Sequence, residues 1–260
     1  MTQEARLSPF GRELRRWRQV RGLSQLRLAA EAGTSPRYLS FVETGRSRPS
    51  QAVVLRLAEA LEVPLRERNR MLTAAGLSPV FPERPLTADA LSPYKRIIDT
   101  LLTQQEPFPA FVFDRAYRLI DANAAARRLV PDLERLGWID AVFTPGSPVR
   151  AMMENIGEAG WAAVDIMRRE SDGPTEAIAA AIQRLEEHLA DVPRPPATEA
   201  AAGSPVVTTR FRLGDQLVTT VTTIVRFDVA RDVTLDELRV ELVFPADEAS
   251  AQVMRALAEV

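Results

Sequence analysis

Arginine is the chemically active residue type that dominates the start of this chain. Residues 1–80 carry 14 Arg against 7 Glu, a net charge of +7, whereas the remainder holds 19 basic against 28 acidic residues, a net of −9. Guanidinium groups at this density suit the negative charge of phosphates, so the first part of the chain reads as a nucleic-acid partner. A merely uneven spread of surface charge is the alternative. Other chemistry is scarce. The sole histidine, His188, sits in the polar helical stretch QRLEEHL and is expected to face solvent. No Ser/His/Asp arrangement can be built around it. Glu186 and Glu187 belong to a solvated helix face, and Gly157-x-x-Gly160 is expected between helices, with no strand before it to make a phosphate loop. The chain has no cysteine, which removes disulfides, thiolate metal sites and thiol redox sensing. With one histidine besides, zinc or haem ligation is not expected. Catalytic residues: none; metal ligands: none; cofactors: none. The chain does not read as an enzyme.

The elements that must carry the arginines follow from breakers and apolar spacing. At 260 residues and 46% hydrophobic content the chain has room for two globular domains. No stretch has the length of a signal-peptide core or approaches 18 apolar residues, so a cytoplasmic, nucleoid-associated protein without membrane contact is expected. In the first domain five short helices are predicted. Phe10, Leu14 and Trp17 share one face of the first, which Gly22 ends. Ser24 caps the second, where Leu28, Ala29 and Ala32 face inward. Gly33 supplies a tight turn, Ser35 caps the third helix with Pro36 in its first turn, and Gly45 stops it. A fourth follows Ser50 and a fifth runs from about Leu65 to Ala75. Two short helices joined through Gly33 form a helix-turn-helix, whose second member enters the major groove.

The stretch from Leu14 to Pro64 resembles the phage-repressor (Xre-type) helix-turn-helix family, through Ser24-Gln25, Leu28-Ala29, Gly33, Leu39-Ser40, Glu43-x-Gly45 and Pro49-Ser50. The resemblance implies a lambda-repressor-like five-helix bundle and a set of DNA-contacting residues. Gln25 takes the position that hydrogen-bonds a backbone phosphate. Ser35, Arg37, Tyr38 and Phe41 take the exposed face of the recognition helix, with Arg37 placed for bidentate reading of guanine. Phe41 stands where a polar residue is usual. Ser40, Thr44, Arg46 and Arg48 take phosphate-contacting positions. Arg18 and Glu43 match a family pair that forms an internal salt bridge.

Four prolines between Ser78 and Pro93 mark an extended connector, giving an expected organisation of 1–77 for the DNA-binding domain, 78–93 for the linker and 94–260 for the second domain. Pro193 to Pro205 reads as a long loop. In the second domain an amphipathic helix starting near Tyr94 precedes two strands, AFVFD and YRLID. Asn123 then caps a helix, and three more follow, the last capped by Thr175. Val- and Thr-rich strands come late, and Leu238, Val240, Leu242 and Phe244 alternate with charged residues. This order is that of a PAS-like α+β domain. The segments FPAFVFD, IDANAAARRL and VTLDELRVELVFPAD resemble the ligand-binding domain of MmyB-like transcription regulators. The resemblance implies a sheet curved around a pocket for a small apolar or amphipathic ligand such as a fatty acid. Its expected lining is Phe111, Phe113, Leu119, Phe143, Met152, Met153, Trp161, Phe211, Val225 and Phe227, each with plain core as its other reading. Arg150 is a candidate anchor for a ligand carboxylate, against the role of an exposed arginine. The whole reads as a homodimeric regulator that binds a palindromic operator in double-stranded DNA and answers to a ligand. The alternative is a DNA-binding regulator whose second domain mediates only dimerisation or protein interaction.

Overall fold

The computed structural model describes residues 7–170, 176–196 and 206–258. The chain divides into two compact units. The first comprises residues 1–84 together with 229–236, and the second comprises residues 85–228 and 237–260.

In the first unit five helices run α1 (Pro9–Val20), α2 (Gln25–Glu31), α3 (Pro36–Glu43), α4 (Gln51–Ala60) and α5 (Leu65–Ala74). Their starts follow local chemistry. The hydroxyls of Ser8, Ser24 and Ser35 accept the orphan N–H groups of Gly11, Arg27 and Tyr38 at 2.9, 3.1 and 3.1 Å. Gly33, at φ +60°, turns the chain between α2 and α3 in the left-handed region that side chains disfavour. Phe10, Leu14, Trp17, Leu28, Leu39, Val42, Leu57, Leu61, Met71 and Leu72 close one apolar core. Gly11 lets α1 approach α3: a Cβ at this position would stand 1.8 Å from the carbonyl oxygen of Glu43. The start of the proline-rich stretch packs on α5. Asn69 donates to the Phe81 carbonyl at 2.7 Å and accepts from the Val80 and Phe81 amides, both at 3.1 Å.

In the second unit a short 3-10 turn (Asp89–Leu91) leads into α6 (Ser92–Gln105), then β1 (Ala110–Phe113) and β2 (Leu119–Ala122). Five helical segments follow: α7 (Ala124–Leu129), α8 (Leu133–Leu136), α9 (Trp138–Phe143), α10 (Pro148–Met152) and α11 (Ile156–Glu170). After α12 (Glu176–His188) come β3 (Thr209–Leu213) and β4 (Gln216–Val225). The chain then forms α13 (Val233–Glu237), of which all but Glu237 belongs to the first unit, and returns to the second with β5 (Arg239–Pro245) and α14 (Glu248–Ala258). The Thr175 cap and the loop residues 197–205 lie outside the described residues. Gly157 and Gly160 fall inside α11 rather than between helices, and a Cβ on Gly160 would crowd Leu189 at 2.8 Å.

The five strands form one antiparallel sheet in the order β2-β1-β5-β4-β3, the PAS-like arrangement. Opposed residues such as Phe111, Ala122 and Glu241 share a face because side chains alternate along a strand. On that face Phe111, Phe113, Val243 and Phe211 pack against Ala126, Phe143, Val164, Met167 and Leu185 of the helices. Asn123 ties the layers together. Its side chain accepts from the Ala110 and Ala126 amides at 3.0 and 2.9 Å and donates to the Phe108 carbonyl at 2.7 Å.

Candidate nucleic-acid interface and ligand cavity

The helix-turn-helix presents a basic edge beside a cleft. Ser35, Arg37, Thr44, Arg46 and Arg48 are exposed on or just beyond α3, while Gln25, Tyr38, Ser40 and Phe41 are half-buried around them. Phe41 lies beneath two cations, with the Arg37 guanidinium 5.4 Å and the Arg46 guanidinium 5.9 Å from its ring centroid. A polar side chain there would not offer this π-face. Next to α3 a cleft of about 540 Å³ is lined by Leu7, Arg15, Arg18, Gln25, Ser40, Glu43, Thr44 and Arg46. Sequence reasoning did not single out Arg15. Its place in the basic first helix was the available signal.

Glu43 organises the floor of that cleft. Arg18 donates to it through Nε at 2.8 Å and also binds the Leu23 carbonyl at 2.9 Å, so the pair implied by the resemblance is formed. Gln25 donates to the same carboxylate at 2.7 Å, which turns one of its amide hydrogens toward the protein. The hydroxyl of Thr44 is turned to the Ser40 carbonyl at 2.7 Å.

In the second unit an apolar cavity of about 360 Å³ opens between the start of α7, α10, the β3–β4 pair and α14. Pro107, Pro109, Ala125, Leu129, Met152, Phe211, Leu213, Val218, Met254 and Leu257 line it. Thr220 and Arg128 add the polar groups, and Arg128 stands 3.6 Å from Glu106. Of the residues expected to line a pocket, Met152 and Phe211 are here. Leu119 lines a second, more polar concavity of about 730 Å³, with Tyr117, Trp138, Arg127 and Arg184.

The other expected lining residues are placed elsewhere. Phe111, Phe113, Phe143 and Met153 sit in the packed core, because the middle of the sheet is covered by helices and has no room for a void. Trp161 donates from its indole N–H to the Val192 carbonyl at 3.1 Å, with Arg194 above its ring. Val225 is exposed at the end of β4, and Phe227 meets Tyr94 edge-on at 5.8 Å. Arg150 is neither exposed nor in the cavity. It binds the Phe143 carbonyl at 2.9 Å, the His188 carbonyl at 2.5 Å and the Asp191 carboxylate at 2.6 Å. His188 does not face solvent, since its Nε2 lies 2.8 Å from Asp140 Oδ1 and its side chain is 19% exposed. The last turn of α12 leans on α9, which carries Asp140. Burial would raise the Asp140 pKa, but hydrogen bonds with Arg184 and His188 outweigh it and hold the carboxyl below its ordinary 3.8. Sequence reasoning missed Arg128, Val218, Thr220, Met254 and Leu257. The alternation of Val218 and Thr220 along one strand was the only trace of them.

A five-helix unit with a basic recognition helix, joined to a PAS-like unit with an apolar cavity, defines a helix-turn-helix protein carrying a sensor-type domain. Comparison with known families places both parts. A helix-turn-helix domain matches residues 9–71, and the MmyB-like transcription regulator ligand-binding domain matches residues 95–257. The second match covers more than half of the chain, which therefore belongs to the MmyB-like transcription regulators, a family of regulators and not of enzymes. Over 78 residues, 30% of its length, the chain is also 38% identical to the uncharacterized HTH-type transcriptional regulator RghRB of Bacillus subtilis (strain 168). It spans about half of that relative's length, 54%. Among the described residues no helix is long and apolar enough to cross a membrane.

Proposed function

We propose that this protein is a sequence-specific, DNA-binding transcriptional regulator, acting in the cytoplasm as a homodimer on a palindromic operator. Its second unit takes up a small apolar or amphipathic ligand. The organisation 1–77, 78–93 and 94–260 is part of the same reading, amended in that residues up to 84 and residues 229–236 group with the first unit. The carrying observation for DNA is the exposed edge of α3, where Arg37 and Arg46 stack on Phe41 beside a cleft lined by Arg15 and Gln25. In this reading Arg37 reads guanine O6 and N7, and Arg15, Gln25, Ser40, Thr44, Arg46 and Arg48 hold phosphates. Two such helices in a dimer would sit in successive major grooves about 34 Å apart.

For the ligand, the observation is the 360 Å³ cavity with one cation among apolar walls. Its size is within the usual range for small-molecule sites. Arg128 would hold an acidic head group while Met152, Phe211, Val218 and Leu257 cover an apolar body. Saturated fatty acids of graded length are the probes. Extraction of the purified protein followed by mass spectrometry, and titration with that series, test the reading. Stoichiometric uptake that shifts DNA affinity supports it. A clean apoprotein that takes up none of the series would leave the second unit with assembly alone.

A further inference from the structure

The first unit is not built from the first part of the chain alone. Residues 229–236, from the connection between β4 and β5, belong to it. The Val233 amide donates to the Pro82 carbonyl at 2.8 Å, and the Thr234 hydroxyl to the Arg84 carbonyl at 2.6 Å. Asp232, 4% exposed, takes Arg84 at 3.0 Å on one oxygen and the Thr234 amide at 3.0 Å on the other. Val233 and Leu235 are buried. The fourth link is at α5. Its N-cap is Pro64, which offers no side-chain acceptor, and Asp236 supplies one from 171 residues away by accepting the Leu65 amide at 3.1 Å. A carboxylate there also meets the positive end of the α5 dipole.

We propose that Val229–Asp236 is a clip that positions the DNA-reading helix, so that the connection between β4 and β5 governs DNA affinity. The route runs through packed pairs. The clip fixes the start of α5. Glu67 of α5, 2% exposed, lies 3.8 Å from Arg16 of α1. Helix α1 in turn holds α3 through Arg18 on Glu43 and through the close approach at Gly11. The amino-terminal end of the clip follows β4, whose Val218 and Thr220 line the apolar cavity, and its carboxyl-terminal end leads into β5. Asp232 and Asp236 are thus positioning residues for DNA binding, remote from the DNA itself. The proposal rests on the DNA-binding reading of α3 and not on any ligand.

The test uses the full chain, with amide exchange at Leu65 and affinity for duplexes selected from a random-sequence pool by the wild type. Asp236→Ala is expected to speed exchange at Leu65 about tenfold and to weaken DNA binding three- to tenfold. The salt dependence should stay unchanged, since no phosphate contact is lost. Asp236→Asn, which keeps an acceptor oxygen, should retain most of both. Inserting Gly-Ser-Gly after Asp228 touches neither α5 nor the clip but lengthens the tether, and should move both readouts two- to fivefold in the same direction. Wild-type exchange at Leu65 in Asp236→Ala would overturn the clip. Faster exchange with unchanged DNA affinity would overturn its hold on α3, and an inert insertion would overturn control from the strands. If Asp236→Ala fails to fold, the Asn and insertion variants still decide. A wild type that selects no duplex would sink the DNA-binding reading, while the exchange data would still judge the clip.

Discussion

Arg18 and Glu43, 25 residues apart in sequence, meet with Nε 2.8 Å from Oε1, and Glu43 is 3% exposed. Burial of a carboxylate is tolerable here because Arg18 and Gln25 both donate to it. Truncating the arginine would leave that charge with too few donors. Arg18→Ala is therefore expected to lower the stability of the first unit by about 3 kcal/mol. Urea dependence of amide exchange within α1 and α3, followed in the full chain, measures it. A loss within experimental error of zero would mean that the pair contributes no more than an exposed one.

Arg37→Ala should reduce discrimination between selected and random duplexes by about 1–3 kcal/mol, the worth of one bidentate base contact. Competition binding at fixed salt reads this directly. Unchanged sequence preference would show that the register assigned to α3 is wrong.

Gln25→Ala should behave differently, weakening selected and random duplexes by similar factors, because a phosphate contact carries no sequence information. The same competition assay separates the two variants. Loss confined to the selected duplex would move Gln25 from the backbone to the bases.

How much of this was legible beforehand depends on the range of each interaction. The five amino-terminal helices were, since Ser24, Ser35, Pro36 and Gly33 punctuate them within a few residues of the boundaries they set. The late strands were legible from the Val and Thr content of β3 and β4 and from the alternation of Val240, Leu242 and Phe244 in β5. The cavity was not. A run such as Phe111-Val112-Phe113 has the same pattern whether it faces a void or a packed helix, and which of these holds depends on elements elsewhere in the chain. His188 was misplaced for the same reason, since its polar neighbours pointed to water while Asp140 lies 48 residues away. The capping of α5 by Asp236 spans 171 residues and leaves no local mark.

Val218→Trp should fill the cavity at its β4 wall and abolish uptake of a fatty-acid probe with the circular dichroism spectrum retained. Arg128→Ala should weaken an acidic probe about tenfold, near the 1.5 kcal/mol of a hydrogen bond to a charged group, and leave a neutral alcohol of equal length unaffected. Equal losses for acid and alcohol would place the head group elsewhere.

Acid should loosen the second unit through Asp140. A carboxyl held below its ordinary 3.8 favours the folded state when ionised. That contribution is complete above the ordinary value and is lost as pH falls through the lower folded value. The unfolding midpoint of Asp140→Asn should accordingly lie below that of the wild type at neutral pH, and the two should begin to converge only as pH falls below about 4. Parallel curves down to pH 2 would show that Asp140 is not the group responsible.

The borrowed residues 229–236 also set a clock on synthesis. At roughly 5–20 residues per second, about 160 residues separate the emergence of the fifth helix from that of the residue that caps it, an interval of about 8–32 s. Throughout that interval the nascent chain carries a DNA reader that lacks one of its own parts. The first unit is completed only after four of the five strands have been made, so a chain terminated before residue 229 lacks part of that unit.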